Sequence, residues 1–133
     1  MGSLSIEKLT VVEGRSAALL GRFSKLDGTY PVQAGVMSVV LKVFDDTGAL
    51  TASVPYFPDD VIFNTLQTDS KWTRDPTGYN LLLRVIPSQF TKGAGVYGCE
   101  VEAVMFDDSV DDNLGPEMET LLYAVSVVSR RGG

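Results

Sequence analysis

Apolar side chains recur at every second position along most of this chain, and that period confines it to β-structure. In VMSVVLKVF, residues 36–44, Met37, Val39, Leu41 and Val43 make one wholly apolar face, with Ser38 and Lys42 opposite. SAALLGRF, residues 16–23, puts Ala17, Leu19, Gly21 and Phe23 on one side and Arg22 on the other. YNLLLRVI, residues 79–86, sets Tyr79, Leu81, Leu83 and Val85 against Asn80 and Arg84. In CEVEAVM, residues 99–105, Cys99, Val101, Ala103 and Met105 alternate with Glu100 and Glu102. Sustained helical periodicity is absent.

Turn residues divide these strands. DDTG at 45–48 allows a positive φ at Gly48, and the chain returns through ALTASV. VIFNTLQ, residues 61–67, fits either a short strand or one helical turn after the acidic PDD, whereas TDSKWTRDPTG, residues 68–78, reads as loop. PSQFTKGAG crosses to a strand starting near Val96, FDDSVDDNLGPE is an acidic loop, and METLLYAVSVV closes the chain as a strand before a frayed RRGG. With a first strand over Ile6 to Val12, the expectation is an all-β fold: a single antiparallel β-sandwich over residues 1–133 with about seven strands. A chain of 133 residues is one domain by length and buries a sufficient core without metal or disulfide.

The stretch GAGVYGCEVEAV, residues 93–104, fits two templates. Gly93, Gly95 and Gly98 spell the G-x-G-x-x-G of a dinucleotide loop, which requires a strand before the glycines and a helix after them. Here a loop precedes and strand periodicity follows, so no cofactor is expected. Gly93 and Gly95 then become turn residues, and Gly98 an outward position that a neighbouring chain segment approaches closely. Tyr97-Gly98-Cys99 also spells Tyr-x-Cys. In that stretch the sequence resembles an immunoglobulin-like module, whose tyrosine two residues before the core cysteine folds its hydroxyl back onto the preceding corner. No partner cysteine lies in the strand at 16–23, and the single tryptophan, Trp72, falls in a loop, so a fibronectin-like or other disulfide-free sandwich fits as well.

Much chemistry is excluded by what the chain lacks. It contains no histidine, which removes histidine-based acid–base catalysis, the common nucleophile pairs and the commonest zinc ligand. No G-x-S-x-G, phosphate-binding loop or C-x-x-C occurs, so no enzyme is expected and no catalytic, cofactor-binding or metal-ligating residue is assigned. A net charge of −6 with scattered basic residues argues against nucleic acid and against an anionic membrane surface. The lone Cys99 forms no disulfide framework and is expected in the core. MGSLSIEKLT lacks the apolar core of a signal peptide, so secretion by that route is not expected.

Two features invite ligand readings. Asp45-Asp46, Asp59-Asp60, Asp107-Asp108 and Asp111-Asp112 are acidic doublets, and an oxygen-rich loop such as 107–113 can hold calcium. No established calcium-loop spacing occurs, and doublets of this kind keep an apolar chain soluble. The strand directions place Asp45 and Asp46 at one end of the sandwich and the other doublets at the opposite end. Tyr30, Tyr56, Phe57 and Trp72 are candidate sugar-stacking rings; the tyrosines and Phe57 precede prolines as loop pins would, leaving Trp72 between Lys71 and Arg74 as the ring expected to be exposed.

A chain of this type works through its surfaces. In overall character it resembles the immunoglobulin-like and related sandwich proteins of tailed-bacteriophage virions. The resemblance implies a non-enzymatic structural protein (capsid decoration, neck, tail or baseplate) that self-associates or docks on a repeated virion protein surface after assembly in the host cytoplasm. The alternative is a carbohydrate-binding or adhesion module, with or without calcium. Termini and edge strands are the expected contacts.

Overall fold

A computed structural model describes residues 6–25, 28–73, 75–105 and 117–129. Eight strands follow in order: β1 (Ile6–Val12), β2 (Ala17–Gly21), β3 (Val36–Phe44), β4 (Leu50–Tyr56), β5 (Ile62–Gln67), β6 (Tyr79–Val85), β7 (Gly95–Met105) and β8 (Glu117–Val128). The ambiguous 61–67 stretch resolves as both of its readings in succession. A helical turn, α1 (Pro58–Val61), starts at a proline whose missing N–H costs nothing there, and β5 follows directly. That strand raises the expected seven to eight.

Five strands form one sheet in the order β1-β8-β7-β3-β4, and three form the other in the order β2-β6-β5. All pairings are antiparallel except β1 with β8, which run parallel from Ile6↔Leu122 to Val12↔Val128. Lettered by chain position, this is the sheet division of a variable-type immunoglobulin sandwich, with the first strand joined to the last on the larger sheet. The fold is therefore an immunoglobulin-like β-sandwich, defined by its strand order and pairing.

The predicted inward faces form the core. Ala17, Leu19, Phe23, Val39, Leu41, Val43, Leu81, Leu83, Val85, Val101, Ala103 and Met105 are all buried, and Tyr123, Val125 and Val127 add the inner face of β8. Met37 departs from the expectation: it is exposed and Val36 is buried instead. The register of β3 against β7 slips between Val36 and Ser38, and such a bulge turns the side chains before it to the other face.

One hydrogen bond staples the two sheets together at an edge. The Tyr123 hydroxyl of β8 donates to the Leu20 carbonyl of β2 at 2.9 Å. Its neighbour Gly21 is closely approached, because a Cβ there would displace the end of the Leu121 side chain and that hydroxyl. Glycine is thus favoured here by the close approach of β8 side chains, not by its backbone freedom.

The Tyr-x-Cys reading holds in detail. The Tyr97 hydroxyl donates to the Gly93 carbonyl at 2.9 Å and accepts from the Lys92 N–H at 3.0 Å. Gly93 turns the corner at φ 71°, a conformation that favours glycine. Cys99 lies beneath in the core, where burial pushes its thiol pKa up to about 12. Tyr97→Phe should cost about 0.5–1.5 kcal/mol in chemical denaturation, the net worth of such a hydrogen bond. An unchanged midpoint would reduce Tyr97 to a packing ring.

Candidate docking face

The outer side of the five-stranded sheet differs from what alternation usually gives. A half-buried sheet places polar side chains on its solvent face. Here the outward positions of β7 and β8 are Val96, Gly98, Glu100, Glu102 and Val104, facing Ser126, Ala124, Leu122, Thr120 and Met118 in register. β3 continues the surface with Val40, Lys42 and Phe44, and Val12 of β1 lies beside Val128 of β8. Val12, Val96, Met118 and Val128 are 41%, 55%, 64% and 43% exposed. The remaining apolar members of the face are partly exposed.

Charge is sparse and balanced on this face. Lys42 bridges diagonally to Glu102 at 3.3 Å between β3 and β7. Glu100 lies opposite Lys42 in the pairing register, and Lys8 occupies the outward position beside Ala124. Among the described residues the face thus carries Lys8 and Lys42 against Glu100 and Glu102 and is neutral, whereas the whole chain is at −6. Gly98 was expected to be crowded. In fact nothing lies within 4 Å of the position a Cβ would take there, so it opens a shallow gap in the sheet surface. Between Phe44 and Ala124, which pair with it on either side, that gap deepens the apolar strip.

The other candidate residues are dispersed. Trp72 is not the exposed ring: it is 8% exposed, and among the described residues the exposed aromatics are Phe57 at 78% and Tyr30 at 42%. Trp72 lies 5.7 Å from the Tyr79 ring, its Nε1 donates to Asp75 Oδ1 at 2.9 Å, and the Arg22 guanidinium lies 5.9 Å from its ring centre. The loop's turn-rich composition hid this, because periodicity carries no information outside regular elements. Tyr56 behaves more like a pin, half-buried with its hydroxyl donating to the Arg84 carbonyl at 3.0 Å.

Asp75 organises that loop. Its Oδ1 accepts from Trp72, Arg22, Thr77 and Gly78, and the bonds from Trp72 first, then Arg22 and Gly78, lower its carboxyl pKa to about 2. The Tyr79 hydroxyl donates to Asp69 at 2.8 Å and holds that carboxyl below its ordinary range as well.

Asp45 is likewise structural. It accepts from the Thr47 hydroxyl and N–H and from the Ala49 N–H, and pairs with Lys92 at 3.1 Å; Thr47 first and Lys92 second hold its carboxyl far below the usual range. Asp59 and Asp60 lie in α1 at the opposite end, where the Gln33 side chain reaches the Asp59 carbonyl. Among the described residues no three acidic, histidine or cysteine side chains gather as a metal site would require. Residues 107–113, with both remaining doublets, lie outside the described residues, as do MGSLS and RRGG.

No protein-family model matches the sequence. No curated protein matches it either. Two solved structures are similar in shape: Tim-1 at a TM-score of 0.42 and 13% identity, covering 100% of this chain and 99% of that one, and the ZIG-8–RIG-5 IG1–IG1 heterodimer at a TM-score of 0.30 and 15% identity, covering 93% and 83%.

Proposed function

We propose that this chain is a non-enzymatic docking module that fastens the outer face of its five-stranded sheet to another protein, as a repeated structural component of a tailed-bacteriophage particle. The single observation that supports docking is that face: a broad β-surface on which Val, Leu, Phe, Met, Ala and Gly are interleaved with Ser, Thr and two Lys–Glu pairs, neutral in an acidic chain. Exposed apolar side chains grouped on one sheet face, with few charges among them, are a mark of protein–protein contact sites. Neutrality lets the face approach a partner without the repulsion that a net −6 would otherwise impose at close range. The particle setting is supported by the resemblance of type noted with the sequence. The edge strands β1 and β4 border the same face and extend the contact.

Lys8 and Lys42 make the proposal testable, because both are on this face. In purified particles treated with an amine-reactive cross-linker, these two lysines should join to a neighbouring subunit. Lys25, Lys71 and Lys92 should react chiefly with reagent alone. Leu122→Lys, which places a charge in the middle of the face, should lower incorporation at least tenfold, about 1.4 kcal/mol, while leaving the melting temperature near that of the parent. Absence of the chain from the particles, or cross-links confined to the other lysines, overturns the reading.

A further inference from the structure

The smaller sheet contains an irregularity that makes a hollow. β5 pairs with β6 at Ile62↔Leu81 and again at Gln67↔Tyr79, so residues 63–66 on β5 stand against Asn80 alone on β6. Four residues cannot lie flat opposite one, and the strand arches outward. Asn80 does not fill the gap. Its amide is turned toward β2, accepting from the Phe23 N–H at 2.8 Å and donating to the Phe23 carbonyl at 2.9 Å. The space between the arch and the 30–31 segment is a cavity of about 390 Å³, floored by Asn80 and lined by Tyr30, Pro31, Phe63, Asn64, Thr65 and Leu66.

Both ends of the arch are held from within. Gln33 donates from Nε2 to the Ile62 carbonyl at 2.8 Å and from its backbone N–H to Asn64 Oδ1 at 2.7 Å. At the other end Gln67 Nε2 donates to the Thr65 carbonyl at 3.0 Å and to its Oγ1 at 3.2 Å. The hollow is thereby pre-formed, and its volume falls within the range of small-molecule sites, about 300–1,000 Å³.

Its chemistry narrows the ligand. Every lining side chain is uncharged, which leaves a phosphate, a carboxylate or an amine without an oppositely charged partner. Tyr30, 42% exposed, presents a ring for stacking, and Pro31, Phe63 and Leu66 supply an apolar wall. Around that wall stand the Tyr30 hydroxyl, the Thr65 hydroxyl with its hydrogen still to give, and the Asn64 amide, whose Nδ2 makes only a 3.5 Å contact to Gln33. An apolar ring face ringed by uncharged donors and acceptors matches a pyranose, which has C–H groups on its faces and hydroxyls at its rim.

We propose that this hollow binds the ring of a neutral sugar, at a site separate from the docking face and on the opposite sheet. Amide NMR spectra of the whole chain titrated with methyl glycosides of glucose, galactose, mannose and N-acetylglucosamine test it. At least one should give saturable shifts confined to residues 30–33 and 63–67, with a dissociation constant on the order of 1 mM, as expected for a single ring. Tyr30→Ala, a substitution at an exposed position, should weaken that binding at least tenfold while leaving the rest of the spectrum in place. Thr65→Val should weaken it several-fold. Failure of all four glycosides to produce saturable shifts up to tens of millimolar overturns the proposal. So does binding that is indifferent to Tyr30→Ala, and so do shifts that centre on Leu122 and Val96, which would place the ligand on the docking face.

Discussion

Trp72→Ala should lower stability by about 3 kcal/mol, within the range measured for deleting buried aromatic rings. The ring is 8% exposed, packs against Tyr79, lies beneath Arg22 and donates to Asp75, so truncation empties a cavity and removes one donor from the Asp75 carboxylate at the same time. Guanidinium denaturation of the parent and the variant measures the loss directly. Trp72→Phe should fall between them, since it keeps a smaller ring in the site while losing the N–H and part of the packing. A loss below about 0.5 kcal/mol for the alanine variant would mean that the 68–78 loop is not fastened to the sheet through this ring.

The second large effect belongs to Asn80. Asn80→Ala should cost about 2–4 kcal/mol, because it leaves both the N–H and the C=O of Phe23 buried without the partners that the amide supplies. The asymmetry between making and leaving a hydrogen bond governs the size: the amide adds modest net stability, but each orphaned backbone group bears a desolvation cost. Asn80→Asp distinguishes this from simple packing loss. It preserves shape and the acceptor for Phe23 N–H, but faces the Phe23 carbonyl with an oxygen instead of a donor, and should be at least as damaging as alanine. If Asn80→Ala unfolds with the parent's midpoint, water reaches Phe23 and the account of this junction fails.

Alternation carried most of the architecture, since strict period two leaves few other solutions for Leu19, Leu41, Leu83 or Val101. It failed where a strand stops being regular. Continuing the period of β3 through a bulge puts Met37 inward, and the same logic puts Asn80 outward although its amide is committed to Phe23. A side chain that stands in for a backbone partner has no signature in a single sequence. The corner at Tyr97 was legible because hydroxyl, glycine turn and buried thiol fall at fixed short spacings. The docking face was visible only once the sheet order brought Val12, Val96, Leu122 and Val40 onto one surface, for each of these residues is unremarkable on its own strand. The arch in β5 was beyond reach for a related reason. It depends on how two strands are matched, four residues to one, and that relation is written in neither strand alone.

The parallel pairing of β1 with β8 has a mechanical side. The two strands run in the same direction, with Ile6 level with Leu122 and Val12 level with Val128, so the start of β1 and the finish of β8 lie at opposite ends of their shared ladder. Tension applied through the two ends of the described chain therefore drags these strands past each other along their length, loading the seven matched pairs together. A ladder peeled from one end breaks rung by rung; one pulled lengthwise must yield as a unit, and the core behind β8 is shielded until it does. For a lengthwise pull, then, the seven-pair ladder is the first barrier met before β1 can leave the sheet.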